Sequence, residues 1–132
     1  MSVDFTGIWT ANLVKSKLLG PIPRALTITI AHSDPELHEE MLITKEDGTE
    51  ERVVFKCWTN GEPGRTLLNG RSVDGSASWE GNELVIKLRI QMGTRDSAFR
   101  DCWFLSPDGD TLSMEHRDDA LAGQITVLNR SR

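Results

Sequence analysis

The sequence has no tyrosine, only two cysteines and three histidines, and no apolar run approaching the ~20 residues that cross a bilayer. Each shortage excludes something. With four Trp, four Phe and no phenol, the aromatic surface is almost entirely apolar and offers no ring hydroxyl to a partner. Cys57 and Cys102 lack the close CxxC spacing of a zinc or redox site. Both stand in apolar runs, Phe55-Lys56-Cys57-Trp58 and Cys102-Trp103-Phe104, a setting for two buried thiols rather than a disulfide. An excess of basic charge is missing too. Fifteen Lys+Arg against 20 Asp+Glu leave a formal charge of −5, which repels a phosphate backbone and an anionic membrane surface, so neither nucleic acid nor membrane is an expected partner. Met1 to Phe5 show no basic segment followed by an apolar stretch, so the default location is cytoplasmic, although an exported mature form would read the same way.

What is present reads as one globular domain over residues 1–132, with 27% charged and 38% apolar residues. Turn signals punctuate it throughout, among them Ser33-Asp34-Pro35, Glu46-Asp47-Gly48, Asn60-Gly61, Glu80-Gly81-Asn82 and Ser106-Pro107-Asp108-Gly109. Between them the apolar residues alternate with period two, as in Leu26, Ile28 and Ile30, or Leu84, Ile86, Leu88 and Ile90. About ten short strands joined by tight turns make an antiparallel meander, which escapes exposed edges most simply by closing on itself. The expected fold is all-β, an antiparallel up-and-down barrel of about ten strands, with a sandwich as runner-up. A ring of that size leaves room inside for water or a small ligand. Residues 34–42 are the ambiguous stretch. Asp34-Pro35-Glu36 with Leu37 and Met41 could open a short helix, but the alternation of Met41, Ile43 and Lys45 with Leu42 and Thr44 favours a strand.

The run Asp4-Phe5-Thr6-Gly7-Ile8-Trp9 resembles the Gly-x-Trp signature that opens the first strand of lipocalins and the wider calycin superfamily, and Asn129-Arg130 stands where that superfamily places a last-strand Arg over the Trp. The resemblance implies structural roles for Gly7, Trp9 and Arg130, the guanidinium stacking on the indole and latching first strand to last. The motifs Gly20-Pro21-x-Pro23, Ser78-Trp79-Glu80-Gly81-Asn82-Glu83-Leu84 and Leu105-Ser106-Pro107-Asp108-Gly109-Asp110-Thr111-Leu112 are similar to those of small bacterial lipocalin-like proteins. Nothing after Asp118 reads as the C-terminal helix of eight-stranded lipocalins. Ser16 to Arg24 is too short for the helical lid of fatty-acid-binding proteins. The nearest plan is a lidless ten-stranded barrel of the fatty-acid-binding-protein and nitrobindin-like kind. Nitrobindin-like barrels hold haem through a His, which makes His116 a candidate iron ligand, but it stands outside any matched haem motif. No cofactor and no metal site are expected.

If Trp9 points inward, parity gives an apolar lining that includes Met41, Phe55, Trp79, Leu88, Phe99, Trp103 and Met114. Two polar residues share that face: Asp101 alternates with Phe99 and Trp103, and His116 with Met114 and Leu112. If Leu105 opposes Leu112 across the Ser106–Asp110 turn, Asp101 directly opposes His116. Arg130 shares the interior parity. His32 and His38, near turns, are expected in solvent, and so is the acidic stretch Glu36, Glu39, Glu40, Glu46, Asp47, Glu50, Glu51.

Three functions follow. The preferred one is binding of a small, mostly apolar or amphipathic molecule in the lumen, with Asp101, His116 and Arg130 as its few polar contacts. The alternative is a lumen acid–base enzyme, an isomerase, cyclase or hydrolase using the Asp101–His116 pair. The third is self-association as a homodimer through outward apolar residues such as Ile8, Val54, Trp58 and Phe104.

Overall fold

The computed structural model describes residues 4–19, 22–68, 71–92, 95–117 and 123–131, and every regular element among them is a β-strand. Ten strands follow one another: β1 (Gly7–Ala11), β2 (Ala25–Ser33), β3 (Glu36–Thr44), β4 (Glu50–Trp58), β5 (Gly64–Leu68), β6 (Arg71–Glu80), β7 (Glu83–Met92), β8 (Arg95–Leu105), β9 (Thr111–Arg117) and β10 (Ile125–Arg130). They form one antiparallel sheet in the order β4-β3-β2-β1-β10-β9-β8-β7-β6-β5. Pairing of β1 with β10, Trp9 opposite Arg130, joins the chain's two ends. The sheet curls until its outer strands, β4 and β5, lie alongside each other, giving a nearly closed up-and-down barrel.

Residues 34–42 belong to a hairpin, with Asp34 and Pro35 in its turn and β3 paired along its whole length from Ser33↔Glu36 to Ala25↔Thr44. A helix there would have kept Leu37 and Met41 together but turned Ile43 away from them; the strand keeps all three on one face. The hairpin β8–β9 has Leu105↔Leu112, Trp103↔Met114 and Asp101↔His116, the register that the short turn between them dictates.

Among the described residues no ladder joins β4 to β5, and side chains fill that seam instead. Gly64 and Gly75 face each other on β5 and β6. A Cβ on Gly75 would stand 2.9 Å from the Phe55 ring, and one on Gly64 would stand 2.6 Å from the Trp58 ring. Phe55 is buried in the core, whereas Trp58 lies on the opposite face of β4 with the Lys56 ammonium 5.2 Å from its ring. Two aromatic side chains of one strand thus close the seam over a pair of glycines.

The core runs through the barrel and holds Cys57; Cys102, equally buried, lies outside that cluster on the other side of the wall. Both thiols are free, and burial pushes Cys57 up to about 12, so it is a small apolar core residue rather than a nucleophile. Ile8, Val54 and Phe104 are exposed, as their parity required.

Candidate functional site

The two ends of the barrel differ. One is plugged. Gly7 sits at φ 151°, and a Cβ there would come within 2.6 Å of the Arg130 guanidinium, so only glycine lets that group reach its place. Arg130 then lies 4.3 Å from the Trp9 ring and donates to the carbonyls of Thr6 (2.7 Å) and Gly109 (3.1 Å). Trp9, fully buried, donates its indole N–H to the Phe5 carbonyl at 2.9 Å. Phe5 stacks on Trp79 with ring centroids 5.8 Å apart and meets Trp103 edge-on at 5.7 Å.

His32 completes this plug and overturns the expectation that it is solvated: its side chain is 2% exposed and stacks on Phe5 at 5.7 Å. The Phe5 N–H donates to its Nδ1 (3.2 Å), which places the ring proton on Nε2, 2.6 Å from Asp34 Oδ1. The turn that made His32 look exposed carries the carboxylate that holds it.

The other end opens on a cavity of about 710 Å³. Its wall is apolar, from Leu26 and Ile28 of β2, Met41 and Ile43 of β3 and Met114 of β9. The mouth combines Leu18, Ile22 and Pro23 with Lys45, Glu46 and Asp47 of the β3–β4 turn. Leu18 is placed there because Lys17 bridges to Ile125 and the Leu19 N–H donates to Gln124 Oε1 at 3.1 Å. One turn upstream, the Ser16 hydroxyl donates to the Asn12 carbonyl and accepts the Val127 N–H, each at 2.8 Å. In the β3–β4 turn Asp47 accepts both the hydroxyl and the N–H of Thr49, which hold its carboxyl below the usual range. Glu51, also on the lining, pairs with Lys45 at 3.0 Å.

Deeper in the cavity, Asp101 and His116 face each other from β8 and β9, Asp101 Oδ1 being 2.8 Å from His116 Nδ1. That bond fixes the imidazole plane and presents a polar pair to a guest within an otherwise apolar wall. Next to this layer, two residues beyond Met41 on the same face of β3, stands Glu39. It is 9% exposed, between Ile30 and Phe55 in the ladder, and no hydrogen bond from a described residue reaches its carboxyl. Burial, reinforced by the charge of Asp101, pushes it up to about 8. One step from Asp101 along β8, the Trp103 indole N–H is buried without a hydrogen-bond partner.

Of the residues singled out from the sequence, Met41, Asp101, Met114 and His116 line the cavity. Trp79, Trp103 and Arg130 belong to the plug instead, and Phe55 to the seam. Leu88 borders a separate depression of about 390 Å³ with Lys87, Arg89 and Arg100, and the Phe99 side chain lies outside the described residues.

No family model matches the sequence, and no curated protein does. Solved structures do. The apo form of lipid binding protein 8 of Caenorhabditis elegans superposes with a TM-score of 0.66 at 11% identity, covering 99% of each chain. Secretory abundant heat soluble protein 4 of Ramazzottius varieornatus gives 0.66 at 12% identity over 100% of this chain and 99% of its own. The chain shares the up-and-down β-barrel fold of these structures. A third structure, a single-substitution mutant of the fluorescent protein UnaG, gives 0.63 at 13% identity over 97% of this chain and 96% of its own.

Glu39, buried one pleat beyond the cavity wall, is a residue that sequence reading missed. The signal was there: Leu37, Glu39, Met41 and Ile43 share one parity. The surrounding run of acids hid it, because charges in a run are normally solvated. The mouth residues Leu18, Ile22 and Pro23 carried no local signal, since contacts with the far end of the chain place them.

Proposed function

We propose that this calycin barrel binds a small, mostly apolar molecule in its lumen, entering by the end opposite the Trp9–Arg130 plug. The observation that carries this reading is the cavity of about 710 Å³, walled by Leu26, Ile28, Met41, Ile43 and Met114 and given a few convergent polar groups. That volume and that mixture are what small-molecule sites use, the wall removing apolar surface from water and the polar groups orienting the guest. Asp101 and His116 are the orienting pair. One structural neighbour is named as a lipid binding protein, which agrees with an apolar guest. None lends support to the acid–base alternative.

The test is titration with a neutral environment-sensitive dye such as N-phenyl-1-naphthylamine. We expect saturable one-to-one enhancement that is lost when Met41→Trp or Met114→Trp fills the cavity and kept when Leu42→Trp enlarges the exposed face. Enhancement that fails to saturate, or that ignores the filling variants, would refute a lumen site.

A further inference from the structure

We propose that the guest carries a cationic head, an alkylammonium or related amine, seated at the cavity floor between Glu39 and Asp101; this rests on the lumen being the binding site. The charge of the lining is the first observation. Glu46, Asp47, Glu51 and Asp101 face the cavity against a single lysine among the described lining residues, and that lysine, Lys45, is held by Glu51 at 3.0 Å. Arg130, the other cation that parity directs inward, is stacked on Trp9 in the plug, with its Nε and Nη1 on carbonyls. A carboxylate-headed amphiphile would therefore enter a lumen of its own sign and, among the described lining residues, meet no lysine or arginine other than the paired Lys45.

The second observation is Glu39. It is a carboxyl nine-tenths buried on the inner face of β3, one pleat repeat beyond Met41 of the cavity wall, and no described residue hydrogen-bonds to it. Three of the four lining acids are engaged, Asp47 by Thr49, Glu51 by Lys45 and Asp101 by His116, and the fourth, Glu46, lies at the mouth. An ammonium donates three hydrogen bonds and accepts none, so it suits a floor made of carboxyl oxygens, and with the alkyl chain lying toward the mouth the apolar wall is covered at the same time.

A proton accompanies the binding. The titratable groups facing Glu39 are Asp101 from β8, whose charge raises it, and Cys57 from β4, a neutral thiol, while its β2 partner is the apolar Ile30. Glu39 holds its proton in the empty barrel at pH 7, being pushed up to about 8. An ammonium settling beside it stabilises the carboxylate, so the carboxyl O–H bond breaks, the proton passes to solvent, and the guest keeps its own.

The experiment compares dodecylammonium, dodecanol and laurate as competitors of the neutral dye at pH 7, below their micelle concentrations, with calorimetry in buffers of different ionisation heat. We expect dodecylammonium to bind at least about tenfold more tightly than laurate, with dodecanol between them, and to release close to one proton. Glu39→Gln should abolish the release and bring dodecylammonium to within about threefold of dodecanol, and Asp101→Asn should narrow the gap in the same direction. Laurate binding as tightly as the amine overturns the cationic head while leaving the lumen site intact. A preference that survives Glu39→Gln and disappears in Glu46→Gln/Asp47→Asn moves the head to the mouth and overturns the floor assignment. If neither the dye nor any of the three amphiphiles binds, the lumen site itself fails.

Discussion

The plugged and open ends of the barrel are built by the same strands, yet they are filled differently. At the plug, Trp9, His32 and Arg130 donate to or accept from partners within the chain, and aromatic rings fill the space between them, although the Trp103 indole N–H is buried there without a partner. Toward the open end the wall is equally apolar, but Glu39 is buried without a hydrogen bond from any described residue and the lining encloses a void. The plug is a finished core. The open half is an apolar wall around a cavity with a few polar groups on it.

This difference can be broken from either side. The largest effect is expected at the plug, where Trp9→Ala removes a fully buried indole together with its bond to Phe5 and should cost about 3–5 kcal/mol in urea unfolding. Next comes the pH profile. Glu39 is pushed up to about 8 when folded, whereas an unfolded glutamate titrates near 4.5. Between those values the folded state holds a proton that the unfolded state has released, so its contribution falls as pH rises, by roughly 3 kcal/mol from pH 5 to 7.5. Glu39→Gln should flatten that slope and be the more stable protein at pH 8; an unchanged slope would place the carboxyl in solvent.

Arg130→Ala should cost about 1–2 kcal/mol, from the stacking on Trp9 and the two carbonyl bonds, with little change in dye affinity because the group lies away from the cavity. The smallest stability effect belongs to Met41→Ala. Its side chain already faces the void, so unfolding should shift by less than about 1.5 kcal/mol while dye affinity changes measurably. A Met41 variant as damaging as the Trp9 variant would mean that the open half is as tightly filled as the plug.

The sequence made the strands and their faces legible because a period of two assigns inside and outside without knowledge of neighbours. It also made the Asp101–His116 contact legible, since the short turn after Leu105 leaves little freedom of register. Glu39 obeys the same rule, but the run of acids around it points to solvent. His32 was not readable locally: its burial needs Phe5, Asp34 and Trp79, which three separate segments supply. The mouth is similar, depending on Lys17 meeting Ile125 across the length of the chain. What escaped the sequence is what only the closed barrel brings together.

The seam between β4 and β5 gives the molecule a grain. Elsewhere around the barrel wall, separating two neighbouring strands means breaking a hydrogen-bonded ladder; along this line it means sliding two rings off two glycines. Opening there exposes apolar surface but leaves the backbone ladders whole, so it is the least costly route by which the wall can part. Under the proposed function, a guest longer than the cavity would extend sideways between these strands, where Phe55 and Trp58 now rest.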